Sequence, residues 1–245
     1  MFFDPNYLLW VLIPGMLISF AAQMMIRNAY GKWSRIRNGA GLTGAQVAQV
    51  IIDRTPVGDV AYGSARLRYT GRSVSSISLE RIGGQLTDHY DPRTHTVRLS
   101  DSTANQPSVV AMAVVAHELG HAQQHEENSI LIQARNFLIP AVQISPMISY
   151  SLILFGLLFN LLDLFWLGVF FFAVAVGFTI LTLPVEFDAS RRGLQLLRDS
   201  GLMLTTQDEQ GSREVLTAAA LTYVAAAVTA ILQLLYFISL AQRRD

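Results

Sequence analysis

The chain has 245 residues, enough for one compact domain plus a few membrane spans. Hydrophobic residues make up 51% and charged residues 15%, and the apolar residues gather in blocks longer than soluble helices need, which points to an integral membrane protein. A formal net charge of zero, with no basic stripe carrying interleaved aromatics, argues against a nucleic-acid partner, and the lack of cysteine excludes disulfides, thiolate metal ligands and a cysteine nucleophile.

The first charge is Asp4, and basic residues follow the first apolar run rather than precede it. This predicts an uncleaved membrane span over about Tyr7 to Ile26 instead of a signal peptide. A polar stretch from about Arg27 to Arg135 follows. Within it, Thr43 caps a predicted helix running to Arg54, with Val47, Val50 and Ile51 on one face. Tyr62 to Arg81 alternates and is rich in β-branched residues. Strands are predicted at Val74–Leu79 and His95–Leu99, with a turn over Asp91-Pro92-Arg93-Thr94. Gln106 to His125 reads as a helix.

Next comes an apolar block from Ile139 to Leu183, read as two spans that part near Asn160 to Asp163. Pro140 and Pro146 predict a late start or a kink in the first of the pair. The alternative for this block is a single re-entrant hairpin. A second polar stretch, Pro184 to Arg213, holds a predicted helix over Phe187–Arg198, and a last span covers about Ala218 to Leu240. The expected organisation is therefore a first span (1–26), a catalytic region (27–138), a membrane hairpin (139–183), a second catalytic segment (184–217) and a last span with a short tail (218–245).

With two crossings between them, both polar stretches fall on one face of the membrane. Of 18 Lys and Arg, 16 lie in these stretches, which predicts the cytoplasmic side, although Arg243 and Arg244 argue the other way. The spans contain no ionisable residue, which disfavours a channel or pump.

The residues that carry chemistry lie in His117-Glu118-Leu119-Gly120-His121. Histidines four apart on a helix share one face, so two imidazoles can reach one zinc ion at ~2.0–2.1 Å. Glu118 points to the side, where it can act as general base on a water without ligating the metal. A catalytic zinc needs a third protein ligand. His125 continues the series, but it lies ~12 Å along the helix from His117 and reads as a surface or rim residue. The remaining candidates are His89 and His95, in the strand region, and Glu186, which lies on the same membrane face. Its alternative role is that of an acidic residue favoured at a helix N-terminus, with Pro184 in the first turn. His89 and Tyr90 are candidates for oxyanion or substrate contact on an edge strand, or else a pair that stabilises the turn at Asp91-Pro92.

Four segments together carry a resemblance: Gly84 to Arg93 (GQLTDHYDPR), Arg98 to Ser100, Ala116 to Gln124 (AHELGHAQQ) and Leu183 to Arg192 (LPVEFDASRR). They resemble the YugP-type family of bacterial neutral zinc metallopeptidases, and the likeness covers most of the chain. It implies an α-rich membrane protein of about four transmembrane helices plus a zincin-like α+β catalytic domain, with a small sheet and the HExxH helix. It implies Zn2+ as cofactor, His117, His121 and Glu186 as ligands, and Glu118 as catalytic base. More distant membrane zincins place an aspartate four residues after the ligand glutamate. Here that position is Ser190, so the nearest aspartate, Asp188, is either a support for the ligands or an ordinary surface carboxylate.

The expected function is peptide hydrolysis by metal-activated water at the membrane surface, on protein or peptide substrates that include membrane proteins. The apolar part of the metal helix, Val109 to Ala116, is far shorter than the ~20 residues of a span, which places the site beside the lipid rather than within it. The competing expectation is a zinc-stabilised membrane scaffold or partner-binding protein that cleaves nothing. Substrate identity and oligomeric state are not legible in the sequence.

Overall fold

The structure, a computed structural model, describes residues 5–57, 77–84 and 86–243. Most of the Tyr62–Arg81 stretch, including the start of the strand expected at Val74, lies outside them, as does Arg244. The described chain is helix-rich. In order it runs α1 (Pro5–Trp33), α2 (Gly44–Arg54), β1 (Ser78–Ile82), β2 (His89–Asp91), β3 (Thr96–Ser100), α3 (Asp101–Asn105), α4 (Val109–Glu126), α5 (Ile130–Leu158), α6 (Leu162–Asp199) and α7 (Thr206–Gln242).

Among the described residues, α1, α6 and α7 are each long and apolar enough to cross a membrane. The two stretches of α5, Ile130–Ile139 and Val142–Leu158, meet at 51° and would make a fourth span if counted as one. The break falls where Pro140 removes a backbone donor from the helical ladder. Asn160, with φ +52°, separates α5 from α6, since asparagine tolerates the left-handed backbone that ends a helix.

Helix α6 differs from expectation. The sequence predicts a span ending at Leu183 and a new helix opening near Pro184, yet α6 is continuous from Leu162 to Asp199 with Pro184 inside it. One helical hydrogen bond is lost there, but the flanking apolar and packed turns carry the helix through. Glu186 is therefore not a helix-start residue, and the reading of it as an N-terminal charge falls. Helix α7 likewise begins in the polar stretch, at Thr206, and runs on into its apolar part.

The chain divides into two compact units. The first comprises Met1–Met24, Gln133–Val185 and Leu221–Asp245. Its core joins Ile153, Phe165, Val169, Phe172, Val176 and Phe237, with Ser149 and Ser145 donating to the carbonyls of Gly168 and Phe171. The second comprises Met25–Ile132 and Glu186–Ala220 and holds every candidate site residue. In it the sheet has the order β1-β3-β2, with β1 parallel and β2 antiparallel to β3. Thr43 caps α2 in a capping box with Gln46, and Ser108 caps α4 by accepting from the Ala111 N–H. Val47 and Ile51 of α2, Val97 and Leu99 of β3, and Met112, Val115 and Leu119 of α4 share one buried core. That core fixes the rotation of α4 and so decides where His117, Glu118 and His121 point.

Candidate metal centre

Two glycines set the site. A Cβ on Gly120 would stand 2.4 Å from the Ala189 carbonyl oxygen, and one on Gly193 would stand 2.8 Å from the backbone of Ala116. Helices α4 and α6 thus pack backbone against backbone, in opposite senses, which only glycine permits at this separation. On α6 the spacing of Glu186, Ala189, Ser190 and Gly193 puts them on one face. On α4 the matching face carries His117, Gly120, His121 and Gln124.

This contact brings His117, His121 and Glu186 together, with one donor atom from each within 4.8 Å of the others. Glu186 Oε2 lies 3.4 Å from His117 Nε2 and 3.6 Å from His121 Nε2. These separations exceed ordinary N–H···O hydrogen bonds of ~2.7–3.2 Å. They match the roughly 3.3 Å between two ligands that each stand ~2.0–2.1 Å from one tetrahedral ion. The residues present therefore fit zinc by donor type and by spacing. Burial opposes ionisation of Glu186, but the two imidazoles beside it prevail and hold its carboxyl well below the usual carboxylate range. Glu186 is buried, with Oε2 facing both imidazoles where a cation would sit.

The remaining imidazole nitrogens face two residues absent from the sequence-level site. Asp188 Oδ2 accepts from Gln124 Nε2 at 2.8 Å. An ionised carboxylate only accepts, so this bond fixes the amide's orientation. Gln124 Oε1 then accepts from His121 Nδ1–H at 3.1 Å, which puts the ring's lone pair on Nε2. Ser190 Oγ stands 3.2 Å from His117 Nδ1 and can do the same for it. Asp188 is itself gripped by Arg191 and Arg192, and Arg192 also reaches Glu127 at 2.7 Å. Burial works against the Asp188 carboxylate, but hydrogen bonds from Gln124, Arg192 and Arg191 bring it to about 2. Asp188 thus does more than decorate the surface. The signal in the sequence was spacing: Gln124 follows His121 by three and Ser190 follows Glu186 by four.

Glu118 is buried beside this set, and its Oε2 accepts the Tyr90 N–H at 2.8 Å. Strand β2 is an edge of the sheet and lies against α4. The Tyr90 side chain does not join the metal group. Its hydroxyl stands 2.6 Å from His95 Nδ1 and 2.7 Å from His125 Nδ1. His89 turns back on its own strand, with Nδ1 2.8 Å from the Thr87 carbonyl. His125, expected at the surface or rim, is half-buried against Tyr90.

The fold is that of a helix-rich membrane protein in which His117, His121 and Glu186 could hold a metal ion. A family model described as "Putative neutral zinc metallopeptidase" matches residues 8–72 and 64–242, and the chain belongs to that family. It is 36% identical over 230 residues to "Putative membrane protease YugP" of Bacillus subtilis (strain 168), covering 94% of each chain. No solved structure matches. Zinc is the metal of the family.

Proposed function

We propose that this protein hydrolyses peptide bonds with His117, His121 and Glu186 as zinc ligands and Glu118 as general base. The observation that carries the reading is the convergence of three ligand atoms at metal spacing, with a second carboxylate, that of Glu118 next in the chain to His117, outside that group and held by the Tyr90 N–H. A zinc ion held by His117, His121 and Glu186 would supply Lewis acidity for the scissile carbonyl and lower the pKa of its water. Glu118 takes the proton as the water attacks and delivers it to the leaving amine. Gln124 and Ser190 keep the imidazoles in the tautomer that presents Nε2. Asp188 holds Gln124 in the orientation this needs.

The site is read as lying at the membrane surface on the cytoplasmic side. Two features support this: Glu186 follows the apolar run of α6 within the same helix, and the basic residues concentrate in the polar stretches. Substrates are then proteins or peptides within reach of the bilayer, membrane proteins included.

The scaffold alternative is separated by one experiment. The purified membrane protein and its Glu118→Gln variant are compared for zinc content and for cleavage of an unstructured protein. Zinc retained with cleavage lost in the variant is the expected result. Cleavage that survives Glu118→Gln overturns the assignment of the base, and a zinc-loaded parent that cleaves nothing favours the scaffold.

A further inference from the structure

Helix α4 carries a third histidine, His125, one turn beyond the metal pair, and it belongs to a different cluster. His125 Nδ1 and His95 Nδ1 both contact the Tyr90 hydroxyl, at 2.7 and 2.6 Å, while His95 Nε2 stands 3.2 Å from Oε1 of the buried Glu126. The short distances are hydrogen-bond spacings, well inside the 3.4 and 3.6 Å found between the zinc-site donors. The cluster is therefore a hydrogen-bonded set rather than a second metal site.

Its proton order follows from counting donors. A phenol has one hydrogen, so it donates to one imidazole and accepts from the other. Glu126 accepts from His95 Nε2–H, so in neutral His95 the Nδ1 is the acceptor for Tyr90 O–H. The phenol oxygen then accepts from His125 Nδ1–H. The three contacts that run from Glu126 through His95 and Tyr90 to His125 are then mutually consistent. Burial lowers the proton affinity of both imidazoles, which favours these neutral forms. The backbone records a cost for this arrangement. His95 adopts φ +50°, a left-handed conformation that a side chain bearing a Cβ takes only against resistance, and it is this bend that turns the imidazole toward Tyr90 and Glu126.

Tyr90 joins the cluster to the chemistry. In the antiparallel register it stands opposite Val97, and its N–H is directed not into the ladder but to the Glu118 carboxylate. We propose that Tyr90 is a positioning residue: its phenol, clamped between His95 and His125, fixes edge strand β2 on the metal helix so that its backbone N–H holds the Glu118 carboxylate in place. The proposal rests on the reading of Glu118 as base for its kinetic consequence, but not for its structural one.

The test uses the full-length protein and Tyr90→Phe, which removes the hydroxyl and keeps the ring. Amide hydrogen exchange at residue 90 should speed up about 10-fold or more, while exchange along Thr96–Ser100 stays as in the parent. Zinc affinity should be unchanged. With a peptide substrate, kcat should fall about 10- to 100-fold with KM unaltered, the signature of a displaced base rather than a lost binding contact. His125→Gln, which breaks the clamp from the helix side and leaves the tyrosine intact, should move exchange and kcat in the same direction. Unchanged exchange at residue 90 in both variants overturns the clamp whether or not the protein proves to be a peptidase. Faster exchange with an unchanged kcat in an active enzyme overturns the positioning role. Loss of zinc in step with loss of activity also overturns it, because the effect would then lie at the ligands.

Discussion

Helix α4 presents two histidine clusters built from the same residue types, and they do opposite things with them. In the first, His117, His121 and Glu186 keep their donor atoms apart at 3.4 and 3.6 Å, each imidazole directed by a partner on its far nitrogen. In the second, His95 and His125 close on a phenol at hydrogen-bond distances, and Glu126 meets the far nitrogen of His95. A metal site has to hold lone pairs at a separation that protons would otherwise bridge, and the rigidity for that comes from outside the ligands. Here it comes from Gly120 and Gly193, which let two backbones meet, and from Gln124 and Ser190. The second cluster closes on its own hydrogen atoms.

The sharpest way to break this contrast is to remove one histidine from each. His121→Ala should lower zinc affinity by more than the ~10–100-fold typical of losing a supporting partner, measured by competition with a chelator. His125→Ala should leave zinc stoichiometry as it is. If both variants lose zinc equally, the two clusters are one site. Next in size is the frame. Gly120→Ala should destabilise the second unit by about 1–3 kcal/mol, because its methyl group would meet a backbone carbonyl that has no side-chain freedom to move aside. A melting temperature equal to the parent's would show that the helices can part at no cost.

Gln124→Ala should weaken zinc binding about 10-fold by leaving the His121 tautomer unfixed, and Asp188→Asn should weaken it less. Smallest is the pH response of the second cluster. Folding lowers the proton affinity of His95, by burial and then by the nearby His125, and of His125, by burial. The unfolded chain then binds more protons, so the stability these groups contribute is present above their ordinary value of ~6.5 and is lost as pH falls below it. Parent and Tyr90→Phe melting curves between pH 7.5 and 5 should converge on acidification, since the phenol's contribution depends on the neutral imidazoles. Curves that stay parallel would separate Tyr90 from that titration.

Local signals carried what the sequence could reveal. Thr43 with Gln46, and the HELGH spacing, are read from neighbours within a turn or two, and the apolar blocks announce their own length. Glu186 was visible as a candidate, but its position depended on whether Pro184 opens a helix or is carried within one. Propensity favours the first, while the packed turns on either side produce the second. The Tyr90–His95–His125 cluster was invisible for a different reason. It joins a strand, a turn and a helix end through a left-handed His95, and no period in the sequence links those positions. Gln124 and Ser190 fall between these cases, at helical spacing from the ligands but among residue types that are ordinary on any polar helix face.

Glu186 also places the site in time. A ribosome adding ~5–20 residues per second delivers His117 and His121 several seconds before it reaches the glutamate, with all of α5 and the apolar part of α6 made in between. On the ligand set proposed, the growing chain passes through a stage with two imidazoles and no third arm. That set stays incomplete until the apolar parts of α1, α5 and α6 have been made, and only the apolar part of α7 follows its last member.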